Sequence, residues 1–164
     1  MKHSHEKSSI KILIISGLLL AAGLLSFRSD IMQDYIRHDI RIERHKAVKM
    51  SDGVTLYADV YLPAEEGKYP TIVSSTPYGV QRDGAHEMFV RFAQHGYAVV
   101  FFDVRGRYES EGRWEPFRNE AKDGYESIEW AAAQPFSNGK VATYGGSYVG
   151  HNQWAAASRL LLTL

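Results

Sequence analysis

Apolar and polar residues alternate strictly from residue 54 to residue 62, and this pattern predicts a β-strand with one buried face. One face carries Val54, Leu56, Ala58, Val60 and Leu62. The other carries Thr55, Tyr57, Asp59 and Tyr61. The segment ending at Met50 is the predicted antiparallel partner, because Ser51-Asp52-Gly53 is typical of a tight turn between two strands. The two segments together predict a hairpin whose second strand is half-buried.

From residue 70 onward, short apolar strands alternate with amphipathic helices. Strands are predicted at 70–76, 97–104 and 140–145, and the second is apolar almost throughout, which is typical of a central parallel strand. One helix is indicated by Ala85, Met88, Phe89, Phe92 and Ala93, a second by Ala121, Tyr125, Ile128 and Ala132, and a third covers 147–157. An antiparallel hairpin that leads into a mostly parallel sheet with flanking helices is an α/β fold.

The first thirty residues differ from the rest of the chain. Three lysines precede residues 12–27, which carry no charge over sixteen positions. This pattern predicts that residues 1–30 are a signal peptide or an N-terminal membrane anchor, so that the protein is exported (periplasmic or secreted) or held at the membrane by residues 12–27. A buried core helix is the alternative. Residues 31–43 are predicted to be a spacer, with Met32, Ile36 and Ile40 at the spacing of a short amphipathic helix, before a domain over 44–164.

Composition excludes several classes of function. Lys plus Arg and Asp plus Glu both number 19, so no excess of positive charge favours a nucleic acid partner. The chain has no cysteine, which excludes disulfides, a thiolate nucleophile and cysteine-ligated metals. No cofactor and no metal ion are predicted, and the N-terminal segment is the expected membrane contact.

A serine flanked by glycines follows the strand at 140–145. Gly145-Gly146-Ser147-Tyr148-Val149-Gly150 resembles the G-x-S-x-G turn that exposes a nucleophile between a strand and a helix, with one additional residue before the last glycine. The helix N-terminus behind Ser147 would offer free N–H groups to a developing oxyanion. The alternative is a glycine-rich turn whose serine caps the helix.

The serine turn belongs to the last of three motifs that occur along the chain in this order: TPYG at 76–79, DVRGRYESEG at 103–112 and GKVATYGGSYVG at 139–150. Together they resemble the X-Pro dipeptidyl peptidase and cocaine-esterase-like branch of the α/β-hydrolases, which includes the α-amino-acid ester hydrolases. The matching positions are Asp103, Arg105, Gly106, Ser110, Gly112, Gly145, Ser147, Tyr148 and Gly150. The resemblance implies the N-terminal part of an α/β-hydrolase fold, truncated after the nucleophile helix, and a small ester or peptide as substrate.

The resemblance also implies roles for individual residues. Ser147 matches the nucleophile, Tyr148 would contribute its backbone N–H to the oxyanion hole, and Tyr78 would contribute its hydroxyl as the second donor. The alternative for Tyr78 is an ordinary Pro-Tyr-Gly turn with a half-exposed ring. Asp103 and Arg105 are interpreted as braces of their loop rather than as participants in the chemistry.

Such a serine needs a base oriented by a carboxylate, and in α/β-hydrolases both follow the serine in the chain. After Ser147 the sequence contains one histidine, His151, and neither Asp nor Glu. We interpret His151 as a packing or surface residue, and His86 and His95 precede the serine, in the wrong chain order. The tail 158–164 is also atypical of a domain end.

Three hypotheses follow. The first is an exported serine hydrolase that cleaves ester or N-terminal peptide bonds, of which this chain is an N-terminal piece that is inactive by itself. The second is a non-catalytic, membrane-tethered α/β module that binds through a cleft between Tyr78 and Ser147. The third is an incorrectly assigned reading frame with no folded product.

Overall fold

Three strands are followed by alternating helices and strands in the computed structural model, which describes residues 40–80 and 84–161. Residues 39–164 form one compact unit. In chain order the elements are β1 (Ile40–Lys49), β2 (Thr55–Pro63), β3 (Tyr69–Thr76), α1 (His86–Gln94), β4 (Ala98–Asp103), α2 (Glu120–Ala132), β5 (Ser137–Thr143) and α3 (Ser147–Leu161). The predicted strands and helices are therefore confirmed, with β5 beginning three residues earlier and α3 ending four residues later than predicted.

The strands form one mixed sheet in the order β1-β2-β4-β3-β5. β2 is antiparallel to β1 and β4, whereas β3 is parallel to β4 and β5. The predicted hairpin and the mostly parallel sheet are thus both present. Because β3, β4 and β5 are parallel, their carboxyl ends lie at one edge of the sheet, and the loops that follow them meet there.

Helices cover both faces of the sheet. α1 packs Phe89 and Ala93 against one face, and α2 packs Ala131 and Ile128 against the other. The prediction that β2 is half-buried is wrong, because Asp59 and Tyr61 on its supposed polar face are 1% and 0% exposed. β2 is an inner strand, with α1 over that face.

Two features also differ from the prediction. β1 begins at Ile40, so the last four residues of the predicted spacer are strand rather than helix. In α2 the buried positions include Glu120, Asp123 and Ser127, which the apolar pattern does not reveal. Glu120 binds a partner in α3 and Asp123 binds one in the loop after β4, as described below.

The predicted leader at 1–30, and the rest of the predicted spacer, lie outside the described residues. Within the described ranges, 40–80 and 84–161, we find no helix with the length and apolar character needed to cross a bilayer.

Candidate active site

Ser147 occupies a strained turn between β5 and α3. Its φ is +55°, in the left-handed region, which costs a non-glycine residue about 1–3 kcal/mol. A serine that only caps a helix has extended backbone angles, so this geometry does not fit the capping alternative. The side chain of Ser147 is exposed to solvent. The turn therefore presents the serine as a nucleophile elbow does.

The glycines on either side permit this turn. Gly145 has a φ of +149°, and a Cβ atom there would overlap the side chain of Val149. A Cβ atom on Gly150 would lie 3.3 Å from the carbonyl oxygen of Gly145, because the first turn of α3 passes close to the end of the β5–α3 connection. A larger residue at either position would force the serine turn and the helix apart.

Tyr78 and the glycines before Ser147 line the same cavity, which has a volume of about 330 Å³. Beside Tyr78, Gly145 and Gly146, its lining is mainly apolar, with Ser74 and Tyr144 in addition to Ala85, Met88, Phe89, Phe101 and Val149. The ring of Tyr78 is 51% exposed. The turn after β3 and the turn after β5 thus meet at one cavity, although Ser147 and Tyr148 are not among the described residues that line it.

Tyr148 is anchored by its side chain. Its hydroxyl donates a hydrogen bond to the carboxylate of Glu120 and accepts longer ones, both 3.4 Å, from Trp114 Nε1 and the Phe117 backbone N–H. Burial and the hydrogen bond to Glu120 raise the pKa of Tyr148. The backbone N–H of Tyr148 belongs to the first turn of α3, where N–H groups have no carbonyl partner within the helix. That N–H group therefore has no hydrogen-bond partner within α3.

Arg105 is a buried brace, in agreement with the sequence interpretation. Its Nε and Nη2 donate to the two carboxylate oxygens of Asp123 at 2.8 and 2.6 Å, and its Nη1 lies 2.9 Å from Asp52 Oδ2. These partners raise the pKa of Arg105, the hydrogen bond to Asp123 most strongly. Hydrogen bonds from Lys122 and Arg105 lower the pKa of Asp52. Arg105 thereby fixes the loop after β4 to α2 and to the β1–β2 turn.

Asp103 fixes the turn that carries Tyr78. Its Oδ1 accepts a hydrogen bond of 2.9 Å from the backbone N–H of Val80. Its backbone carbonyl accepts one of 2.7 Å from Ser110 Oγ. Burial raises the pKa of Asp103 to about 6. Asp103 is therefore also a structural brace, as the sequence predicts.

None of the three histidines discussed above is placed as a base for Ser147. The His151 ring packs edge-on against Phe117 at 4.7 Å, and within the described part of the chain no hydrogen bond joins it to Ser147. His86 Nδ1 lies 3.0 Å from the Tyr61 hydroxyl, and His95 Nδ1 donates to its own helix. In the same described ranges, no three His, Asp or Glu side chains come together as ligands of a metal ion.

Sequence reasoning missed Glu120, Asp123, Trp114 and Arg107 as supports of the site. From the sequence, Glu120 and Asp123 would be expected to lie exposed in the first turn of a helix, where acidic residues are common. The signal available in the sequence was their position directly after a loop that already carried the Asp103 and Arg105 motif.

Comparison with known proteins agrees with this geometry. The family model described as X-Pro dipeptidyl-peptidase (S15 family) matches residues 52–160. The cocaine esterase of Rhodococcus sp. (strain MB1 Bresler) is 35% identical over 114 residues, which are 67% of this chain and 20% of the esterase. The chain spans about a fifth of the length of the curated relatives it matches.

Solved structures show the same fold. A CocE/NonD family hydrolase from Staphylococcus aureus superposes with a TM-score of 0.67 at 32% identity, over 73% of this chain and 25% of that one. An α-amino acid ester hydrolase gives 0.61 at 29% identity, over 72% and 23%. The sheet with its flanking helices therefore corresponds to the N-terminal part of an α/β-hydrolase, and the chain belongs to the X-Pro dipeptidyl-peptidase (S15) family.

Proposed function

We propose that this chain is the nucleophile-bearing part of an exported serine hydrolase that cleaves ester or N-terminal peptide bonds through an acyl-serine intermediate. The observation that carries the proposal is the strained, exposed Ser147 at a turn that shares a cavity with Tyr78. The names of the relatives support the substrate class: one is a cocaine esterase, one hydrolyses α-amino acid esters, and the family model is named for X-Pro dipeptides.

The proposed reaction follows from the positions of these groups. Ser147 Oγ attacks the carbonyl carbon and releases its proton to a base, while the carbonyl π electrons move onto the carbonyl oxygen. The Tyr78 hydroxyl and the Tyr148 N–H donate hydrogen bonds to that oxyanion. Collapse of the tetrahedral intermediate expels the alcohol or amine, which takes the proton from the base. Water then hydrolyses the acyl-serine by the same steps and releases the acid.

We further propose that these 164 residues do not turn over substrate by themselves. A general base is needed at each step, and the sequence after Ser147 offers His151 without any carboxylate. The packing of His151 on Phe117 supports this proposal. The same observation favours the second candidate function, a non-catalytic module that binds a small ester or peptide in the cavity beside Tyr78.

A fusion protein distinguishes the two candidate functions. In this fusion, called the extended chain, the 164 residues are followed by the region that follows the matched segment in the Rhodococcus cocaine esterase. The substrate used as the probe is p-nitrophenyl acetate. We expect no serine-dependent turnover by the 164 residues, turnover by the extended chain, and its loss in Ser147→Ala. A folded extended chain, checked by circular dichroism, that stays inactive would overturn the catalytic proposal and favour the binding module.

Export is the remaining part of the proposal, and it is supported by the three lysines ahead of an uncharged run of sixteen residues. Residues 1–40 fused to a reporter that is active only outside the cytoplasm should give signal. The control fusion carries Leu19→Lys and Leu24→Lys, which interrupt the apolar run and should abolish the signal. An inactive wild-type fusion would refute export.

A further inference from the structure

The peptide group between Pro77 and Tyr78 is held at both of its polar atoms. Arg107 Nε donates a hydrogen bond of 2.9 Å to the carbonyl oxygen of Pro77. The N–H of Tyr78 donates one of 3.1 Å to Thr76 Oγ1. Because the peptide group is planar, these two hydrogen bonds define its orientation and hence the direction of the N–Cα bond that leads to the Tyr78 side chain.

The other side of Tyr78 is held as well. The Val80 N–H donates to the buried carboxylate of Asp103 at 2.9 Å. The ring of Tyr108 packs on Gly79, where an added Cβ atom would lie 2.9 Å from the ring. The backbone around Tyr78 is therefore fixed from both directions, whereas its ring stays half exposed toward the cavity.

Arg107 is itself oriented by two aromatic rings. Its guanidinium carbon lies 4.6 Å from the ring centre of Trp114 and 5.2 Å from that of Tyr108. A planar guanidinium can stack on a ring and donate a directed hydrogen bond at the same time, whereas a lysine ammonium is a point charge without that plane. The contacts with the rings thus aim Nε at the Pro77 carbonyl.

We infer that Arg107 is a positioning residue for Tyr78: it orients the proposed oxyanion donor through the Pro77 carbonyl. The inference rests on the proposed function, which gives Tyr78 its role as donor. Donors to an oxyanion are effective when their direction is set before the reaction, and a phenol on a loose turn would lose that advantage. Arg107 carries this function without touching substrate.

Three variants of the full chain test the inference. Arg107→Met keeps an apolar stem but removes the donor, and Arg107→Lys keeps a positive charge and a donor. Arg113→Met is the matched control, because Arg113 lies in the same loop and is 88% exposed. Hydrogen exchange of the backbone amides of residues 78–80 should accelerate about tenfold or more in Arg107→Met, less in Arg107→Lys, and not in Arg113→Met.

A spectroscopic readout reports on Tyr78 directly. The chain is labelled with 3-fluorotyrosine at its ten tyrosines, and Tyr78→Phe identifies the Tyr78 ¹⁹F signal. In Arg107→Met that signal should shift, while the signals of Tyr69 and Tyr125, outside this turn, stay in place. In Arg107→Lys the Tyr78 signal should lie between its position in the wild type and its position in Arg107→Met.

Unchanged exchange at residues 78–80 together with an unchanged Tyr78 signal in Arg107→Met would overturn the inference. A shift of every tyrosine signal would overturn it too, because it would mean a general loss of structure. Both readouts are independent of turnover. Failure of the proposed function, seen as a folded extended chain that stays inactive, is therefore distinguishable from failure of the positioning role.

Discussion

The hydroxyl of Tyr148 donates a hydrogen bond to the buried carboxylate of Glu120, and so joins the second residue of α3 to the first residue of α2. The two residues are 28 positions apart in the chain. Since the backbone N–H of Tyr148 is a proposed oxyanion donor, the side chain of the same residue serves as the anchor that keeps the donor in place.

A double-mutant cycle measures this anchor. Glu120→Ala and Tyr148→Phe should each lower the free energy of unfolding by about 1–3 kcal/mol, because each leaves a buried polar partner unsatisfied. The double variant should lose less than the sum of the two single variants by about 1 kcal/mol or more. Urea unfolding gives these values. Glu129→Ala, at an exposed position of the same helix, is the control and should change stability little. Strict additivity of the two changes would contradict the anchor.

The strain at Ser147 predicts an unusual response to glycine. Because glycine adopts positive φ without steric cost, Ser147→Gly should raise the free energy of unfolding by about 1 kcal/mol relative to Ser147→Ala. Ser158→Gly, at an exposed interior position of the same helix, should lower it by about 0.5–1 kcal/mol. The urea midpoints of the variants check both signs. A loss of stability in Ser147→Gly would mean that Ser147 is not strained.

The raised pKa of Asp103 predicts a specific pH dependence. Burial moves it from 3.8 to about 6, so the native state binds more protons than the unfolded state between those pH values. The stability associated with Asp103 is therefore complete below about pH 4 and falls as the pH rises through 6. Asp103→Asn cannot ionise. The unfolding free energy of this variant minus that of wild type should thus increase by roughly 2–3 kcal/mol from pH 4 to pH 7.5.

Asp52→Asn is the control of opposite sign. Hydrogen bonds from Lys122 and Arg105 lower the pKa of Asp52, so its contribution to stability is present at neutral pH and is lost in acid. The difference between Asp52→Asn and wild type should be negative at neutral pH and shrink toward low pH. A flat difference for Asp103→Asn over the same range would show that Asp103 is not desolvated.

Loss of the Tyr78 hydroxyl should affect the chemical step. In the extended chain, Tyr78→Phe should lower kcat for p-nitrophenyl acetate by about 10²–10³-fold with little change in KM, as for removal of one oxyanion donor. Tyr97→Phe is the control, because Tyr97 is 40% exposed and packs on Phe92 outside the site. Equal kcat values for Tyr78→Phe and wild type would show that Tyr78 is an ordinary turn residue and not an oxyanion donor.

The elements of this protein could be read from its sequence, because the spacing of apolar residues along a helix or strand depends on local geometry. The alternation at 54–62 and the apolar run at 97–104 each predicted a strand where one is found. The three motifs could also be assigned to one place, because the loops after β3, β4 and β5 meet at the carboxyl edge of a parallel sheet.

Tertiary structure alone decided which residues meet. The order of the five strands makes β2 an inner strand, and α1 packs over the face of β2 that the alternation predicted to be exposed, where Asp59 and Tyr61 are buried. The contacts of Glu120 with Tyr148, and of Arg107 with Pro77, join segments about 30 residues apart. Such contacts depend on how helices and loops pack across the sheet, and no local periodicity records that packing. For the same reason Glu120 and Arg107 became visible as supports of the site only in the folded chain, whereas the motif at 103–112 had already indicated Asp103 and Arg105.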